Sequence, residues 1–345
     1  MANLLKQLLL RLAGGTSKLL TLAVVVLLFW GTVAPVGTLV WWLNQSAESL
    51  GRQKQPKQPP TKEGTSPTAH ASDINCYIIY LPGVGDFSTN QLTPGEEWFL
   101  DQLVRLHPNC VAVRDVFPYS AENKDLGGQR FLSPLWQAIG REDGWLKNAD
   151  VLIKIRNLWR LAISADDRYG PVYNQGIADA ILERMNIVQP IARHPQQPLN
   201  LVLIGTSGGV QVALGAVPYL DRWLEARATV VSLGGVFNGE EGFGIADHVY
   251  HLHGERDWVE NIGPVVFPSR WRWAVASPFN QARQQGHYTA LSSGDHAHDG
   301  EEGYLGLAIA KPQTTFVALT LQKVHQLPLW QTPARRDRAN HAMEE

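Results

Sequence analysis

Residues 200–215 read NLVLIGTSGGVQVALG, an apolar, β-branched run that breaks at Gly205-Thr206-Ser207-Gly208-Gly209 and resumes with helix-compatible spacing. The pattern predicts a strand, a sharp turn and a helix. Glycines around the turn let strand and helix approach closely, because no Cβ stands between them. Ser207 occupies the apex and is the first candidate for chemistry. A bare Gly-x-Ser-x-Gly also arises by chance, so the rest of the chain has to supply what a reactive serine needs.

The flanking sequence alternates strand and helix signals. Residues 76–81 (CYIIYL) are β-branched and aromatic and end in Pro82-Gly83-Val84-Gly85-Asp86. Residues 90–107 place Trp98, Phe99, Leu103 and Leu106 at helical spacing behind Pro94, Glu96 and Glu97, and residues 110–116 form a second strand. A helix around residues 172–185 leads to the strand that enters Ser207. Strands then follow at 228–233, ending in Gly234-Gly235, at 248–253, ending in Gly254, and at 287–291. Six strands with interposed helices predict an α/β domain, a mainly parallel sheet with helices on both faces and functional loops at the carboxyl ends of the strands. Residues 119–170 interrupt the alternation without a strand signal and read as a helical insertion. Within it Val151, Leu152, Ile155, Leu158, Trp159 and Ala162 form an apolar helical stripe opposite Lys154, Arg156, Asn157 and Arg160. Such a helix either covers the sheet with a solvated basic face or serves as a lid or membrane-surface element.

Ahead of this domain, residues 1–18 carry Lys6, Arg11 and Lys18, and residues 19–43 carry no charge at all. As a helix the uncharged run would reach about 37 Å, longer than a bilayer's hydrocarbon core, which predicts a transmembrane helix and a single-pass membrane protein. Trp41 and Trp42 close the run as interfacial anchors would. A cleaved signal peptide is the alternative, against which stand the length of the run and the lack of a clear small-residue cleavage site. Arg52, Lys54, Lys57 and Lys62 follow the span, so charge on its two sides does not set the orientation. Residues 44–72, rich in Gln, Pro, Lys, Ser and Thr, read as a flexible linker, residues 73–330 as the folded domain, and residues 331–345 as a polar tail. A formal net charge of −2 over 345 residues leaves no nucleic-acid footprint.

A serine hydroxyl is a weak nucleophile until a base takes its proton, and an imidazole base needs a carboxylate to fix its tautomer. Downstream of Ser207, residues 251–259 read HLHGERDWV, with Glu255 and Asp257, and residues 292–305 read SSGDHAHDGEEGYL, with His296 and His298. Together with the Ser207 turn and the Leu81-Pro82-Gly83-Val84-Gly85 turn, these loops resemble, in order, those of the α/β-hydrolase superfamily. The resemblance covers residues 73–326 and is greatest to uncharacterised membrane-anchored α/β hydrolases of bacteria, of cyanobacterial type. It implies Ser207 as nucleophile and Asp257 as the acid, with Glu255 as a spare carboxylate. It favours His298 as the base, since the family often sets its base near a helix start such as Gly303-Tyr304-Leu305, with His296 as competitor. The backbone N–H groups of Gly208 and Val84 would form the oxyanion hole. Pro82 stands where the family commonly has histidine, which leaves Gly85 open beside Val84 as the second donor. In the family's usual strand order Cys76 and Cys110, the two cysteines, open neighbouring strands; they would bridge only if the domain is extracytoplasmic.

His248, His251 and His253, together with His296 and His298, also admit a metal-site reading, since imidazoles two residues apart share a strand face, but neither His-Glu-x-x-His nor His-x-His-x-Asp-His occurs. A membrane-tethered binding or scaffold protein that keeps the fold without turnover is the other alternative. The leading expectation is a membrane-anchored serine hydrolase that cleaves an ester, thioester or similar acyl bond through an acyl-enzyme. It needs no cofactor; its partners are the lipid bilayer and a small-molecule or lipid ester.

Overall fold

The structure, a computed structural model, describes residues 74–84, 91–119, 149–191, 198–240 and 242–330 of the 345-residue chain. The expected membrane span at 19–43, the linker at 44–72, the polar tail and residues 120–148 of the insertion lie outside the described residues. Among the described residues no helix is long and apolar enough to cross a membrane.

Six strands make one parallel sheet: β1 (Cys76–Leu81), β2 (Cys110–Val113), β3 (Asn200–Thr206), β4 (Arg227–Leu233), β5 (His248–Gly254) and β6 (Tyr288–Gly294), in the order β2-β1-β3-β4-β5-β6. Parallel neighbours need crossover connections, and helices supply them: α1 (Pro94–Leu106), α2 (Ala149–Ser164), α3 (Gly170–Val188), α4 (Gly209–Leu224), the short α5 (Gly242–Ile245) and α6 (Ile262–Val266), and α7 (Pro278–Gln284), with α8 (Phe316–His325) after the last strand. Every residue of β1 is buried, as a central strand covered on both faces requires. On one face Ile78, Tyr80, Val202, Ile204, Val231 and Leu233 pack with Phe99, Leu100 and Leu103 of α1 and Val317 and Val324 of α8. On the other, α4 rests on β1, β3 and β4 and packs against α3.

Local chemistry sets the ends of these elements. α1 starts at Pro94 rather than at residue 90 because Thr93 caps it: its hydroxyl accepts from Glu96 N–H while the Glu96 carboxylate accepts from Thr93 N–H at 2.7 Å. β2 stops at Val113 rather than at residue 116, where Arg114 turns onto α1 and bridges Glu97 and Asp101, both at 2.6 Å. β6 starts at Tyr288 and runs on to Gly294, pairing with Gly254 across an irregularity. A small antiparallel ribbon, β7 (Ile309–Lys311) with β8 (Thr314–Thr315), has no counterpart in the sequence reading.

Cys76 and Cys110 face each other in the β1–β2 register with Cα atoms 4.3 Å apart, and they form a disulfide. Tying residues 34 positions apart removes loop entropy from the unfolded chain, about 3–4 kcal/mol of stabilisation in the chain-entropy account. Unreduced denatured protein should therefore titrate no thiols, and reduction should lower folding stability by about that amount. Two reactive thiols in the unreduced protein would contradict the pairing.

His107, which closes α1, stacks on Trp330 at 3.7 Å, and its Nε2 faces His325 Nδ1 at 3.2 Å. Burial, with the His325 charge adding to it, pushes the His107 pKa down to about 4. The unfolded chain binds this proton near pH 6.5, the native chain only near 4. Stability is therefore lost as pH falls through that window, by at most about 1.4 kcal/mol per pH unit. The urea midpoint should drop between pH 7 and pH 5, and His107→Gln should flatten that drop.

Candidate active site

β3 delivers Ser207 into the left-handed region at φ 49°, a conformation that costs a non-glycine residue about 1–2 kcal/mol. Three backbone bonds hold it there. Ser207 N–H donates to Leu233 O at 3.1 Å, and Ser207 O accepts from Val210 N–H at 3.3 Å and Val236 N–H at 3.1 Å. The glycine pattern has a steric cause: a Cβ on Gly205 would sit 2.6 Å from Val210 N, and one on Gly209 would collide with Leu81 O. α4 begins directly behind the turn, so its amino-terminal N–H groups and dipole face the serine.

Two loops at the carboxyl ends of β5 and β6 meet this serine. His298 Nε2 lies 2.9 Å from Ser207 Oγ, and His298 Nδ1 lies 2.9 Å from both carboxylate oxygens of Asp257. The Asp257 side chain is fully buried. Its Oδ1 accepts from Val259 N–H at 2.9 Å and Glu260 N–H at 3.3 Å, and its Oδ2 accepts from Tyr304 O–H at 2.7 Å. Burial alone would raise the Asp257 pKa, but the hydrogen bonds from His298 and Tyr304 and the imidazole's charge outweigh it and hold the carboxyl below its usual range. Burial, and then the Asp257 carboxylate, push the Tyr304 hydroxyl strongly up, so it remains a donor. Tyr304 in turn accepts from Gly254 N–H at 2.7 Å, which fixes its oxygen against the end of β5.

The two loops are also joined to each other. Glu255 N–H donates to Gly294 O and Arg256 N–H to His296 O. The Arg256 guanidinium bridges Asp295 at 2.8 Å and Glu302 at 2.5 Å, on either side of His298. The sequence places a helix start at Gly303-Tyr304-Leu305, but the structure has a single 3-10 turn at Gly300–Glu302 and no helix until α8. Tyr304 is committed inward to Asp257 and Gly254 instead.

Two turns close the opposite side of Ser207. Gly208 N–H and Val84 N–H donate no backbone hydrogen bond among the described residues, and Val84 packs against Gly208. Tyr119 O–H holds the Gly208 carbonyl at 2.7 Å, and Asn157 Nδ2 of α2 donates to the Val84 carbonyl at 2.9 Å. Gly85, the other candidate donor, lies outside the described residues. α2 corrects the sequence reading over its second half: Asn157 and Arg160, assigned to the solvated face, are buried, while Leu158, assigned to the apolar stripe, is 52% exposed. The polar groups turn inward because there they meet carbonyls, Val84 O for Asn157 and Pro118 O for Arg160.

The structure therefore brings together Ser207, Asp257, His298, Gly208 and Val84. His296 goes elsewhere: fully buried, it is stacked on Tyr304, with Nε2 3.1 Å from both Phe316 O and Thr320 Oγ1. Glu255 stays outside the cluster and accepts from Ser292 Oγ at 3.2 Å. His248 pairs with Thr289 Oγ1. His251 spans Ser232 Oγ at 2.7 Å and Glu260 Oε2 at 2.8 Å, and burial lowers its pKa against the opposing pull of Glu260. Among the described residues no group of three or more His, Cys, Asp or Glu side chains is arranged to share a metal ion. Sequence reasoning missed Tyr304, Tyr119 and Asn157. Only Tyr304 carried a signal, as an aromatic residue beside the histidine loop; the other two act across sequence separations of 89 and 73 residues.

Chemically the arrangement can move one proton. His298, with Nδ1–H directed at Asp257, presents a basic Nε2 to Ser207 Oγ, and an anion formed on an attacked carbonyl would find N–H donors at Gly208 and Val84. No protein-family model matches the sequence, and no curated protein matches it.

Proposed function

We propose that this chain is a serine hydrolase of the α/β-hydrolase fold, anchored by residues 19–43, that cleaves an ester, thioester or similar acyl bond. The observation that carries the reading is the unbroken relay from Ser207 Oγ through His298 to buried Asp257, each link 2.9 Å, on a serine held at positive φ. The parallel α/β sheet supports it further. Ser207, Asp257 and His298 follow β3, β5 and β6, in the chain order that the resemblance implies.

The steps follow from the geometry. His298 Nε2 takes the proton as Ser207 Oγ attacks the acyl carbonyl carbon, and Asp257 stabilises the resulting imidazolium without taking its proton. The oxyanion is met by Gly208 and Val84 N–H. His298 then returns the proton to the departing alcohol or thiol, leaving an ester on Ser207. Water, deprotonated by the same imidazole, releases the acid and restores the serine. This chemistry draws on no cofactor. The disulfide favours placing the domain in an oxidising compartment, outside the cytosol.

A fluorophosphonate probe followed by a chain-length series of model esters tests the reading. Time-dependent labelling with a preference along the series supports it. A folded protein that neither labels nor turns over any ester in the series favours the tethered binding protein instead.

A further inference from the structure

We propose that residues 258–275, the segment that follows Asp257, form a docking face for an anionic lipid bilayer. Trp258, Val265, Val266, Trp273 and Val275 are exposed by 71, 73, 57, 76 and 62%. Single exposed apolar side chains are ordinary, but a concentration of large ones on one short segment marks a contact surface. Contacts tie its second half to α6. Trp271 Nε1 donates to Pro264 O at 2.8 Å, which pins the 271–275 turn against α6, and the Trp271 and Trp273 rings stack at 5.2 Å. Pro264, Trp271 and Trp273 line a shallow, open surface depression with Arg270, Arg272 and Arg283.

Charge and position choose the occupant. Between residues 258 and 286 the chain carries three arginines and one acid, Glu260, whose Oε2 is engaged by His251. Arg270 is buried against Phe237 and Phe279, with ring centroids 4.1 and 5.0 Å from its guanidinium carbon, and braces the face from beneath. Arg272 and Arg283 are exposed and give the face a positive field. Tryptophan and aliphatic side chains rimmed by arginine suit the headgroup boundary of an anionic bilayer, where rings lie at the interface and cations meet phosphate. The linker expected over residues 44–72 would hold the domain at an r.m.s. distance of about 30 Å from the span expected at 19–43, which keeps the bilayer at high effective concentration beside it. The proposal needs that anchor but not the serine chemistry.

Full-length protein reconstituted into phosphatidylcholine vesicles, with and without phosphatidylglycerol, tests it. The native cysteines are paired, so Val265→Cys, Trp273→Cys and, on the exposed side of α3, Glu183→Cys each take one fluorophore. Brominated lipid should quench the labels at 265 and 273 several-fold more than the label at 183, more strongly with phosphatidylglycerol present. Val265→Asp with Val275→Asp should abolish quenching at 273 without moving the unfolding midpoint. Equal quenching at all three sites, indifference to phosphatidylglycerol, or failure of the chain to enter vesicles would overturn the proposal. So would a dimer that the aspartate pair dissociates, which would make this a self-interface.

Discussion

Ser207→Ala should eliminate ester turnover, and His298→Ala should lower acylation by about a thousand-fold or more, with the double variant little worse than either single one. The non-additivity follows from the geometry. His298 Nε2 has one reactive partner, Ser207 Oγ at 2.9 Å, so removing either atom removes the same step. His296→Ala is the control within the loop. Its imidazole is spent on Phe316 O and Thr320, so its loss should show in the unfolding midpoint and leave turnover largely intact. Steady-state rates on a model ester measure all four variants. A dead His296→Ala beside an active His298→Ala would shift the base by two residues and contradict the arrangement.

Asp257→Asn should lower kcat by about ten-thousand-fold with little change in KM, the loss known from a serine protease whose triad acid is made an amide. The surrounding donors dictate how an asparagine would sit. Val259 N–H and Glu260 N–H both point at Oδ1, so the amide oxygen must take that place and the NH2 group must take the other. That NH2 then faces Tyr304, whose hydroxyl can accept, and His298 Nδ1. Where Nδ1 accepts from that NH2 group, the imidazole carries its proton on Nε2 and cannot take one from Ser207; where Nδ1–H donates to the amide oxygen, also 2.9 Å away, the carboxylate charge that stabilises the imidazolium is still lost. Tyr304 O–H loses its acceptor in this variant, so the unfolding midpoint is measured beside stopped-flow acylation to separate the tautomer effect from a folding defect. A variant within tenfold of wild type would show that Asp257 does not set the tautomer.

Local signals in the sequence reached a long way into this fold. The inner strands β1, β3, β4 and β5 were legible as short, largely apolar runs ending at or beside glycine or proline, and a strand buried on both faces has to read that way. The Ser207 turn was legible because only glycine fits at 205 and 209, where backbone atoms fill the space a Cβ would take. What was not legible depended on distant partners. The end of β2 is decided by a guanidinium finding carboxylates on α1, and the inward face of α2 by carbonyls of residues 84 and 118. Helical periodicity sorts side chains by polarity alone, so it sends a buried asparagine to solvent. The choice between His298 and His296 rested on a helix start that the structure lacks; Tyr304, in that stretch, instead positions the acid.

The proposed chemistry requires Ser207 Oγ to form a covalent bond to the substrate's electrophilic centre. Peptide mapping by mass spectrometry after reaction with a fluorophosphonate tests it most directly. One adduct per chain, on the peptide containing Ser207 and absent from folded Ser207→Ala protein, is the predicted result. An adduct on another residue, or labelling and turnover that persist in Ser207→Ala, would contradict it.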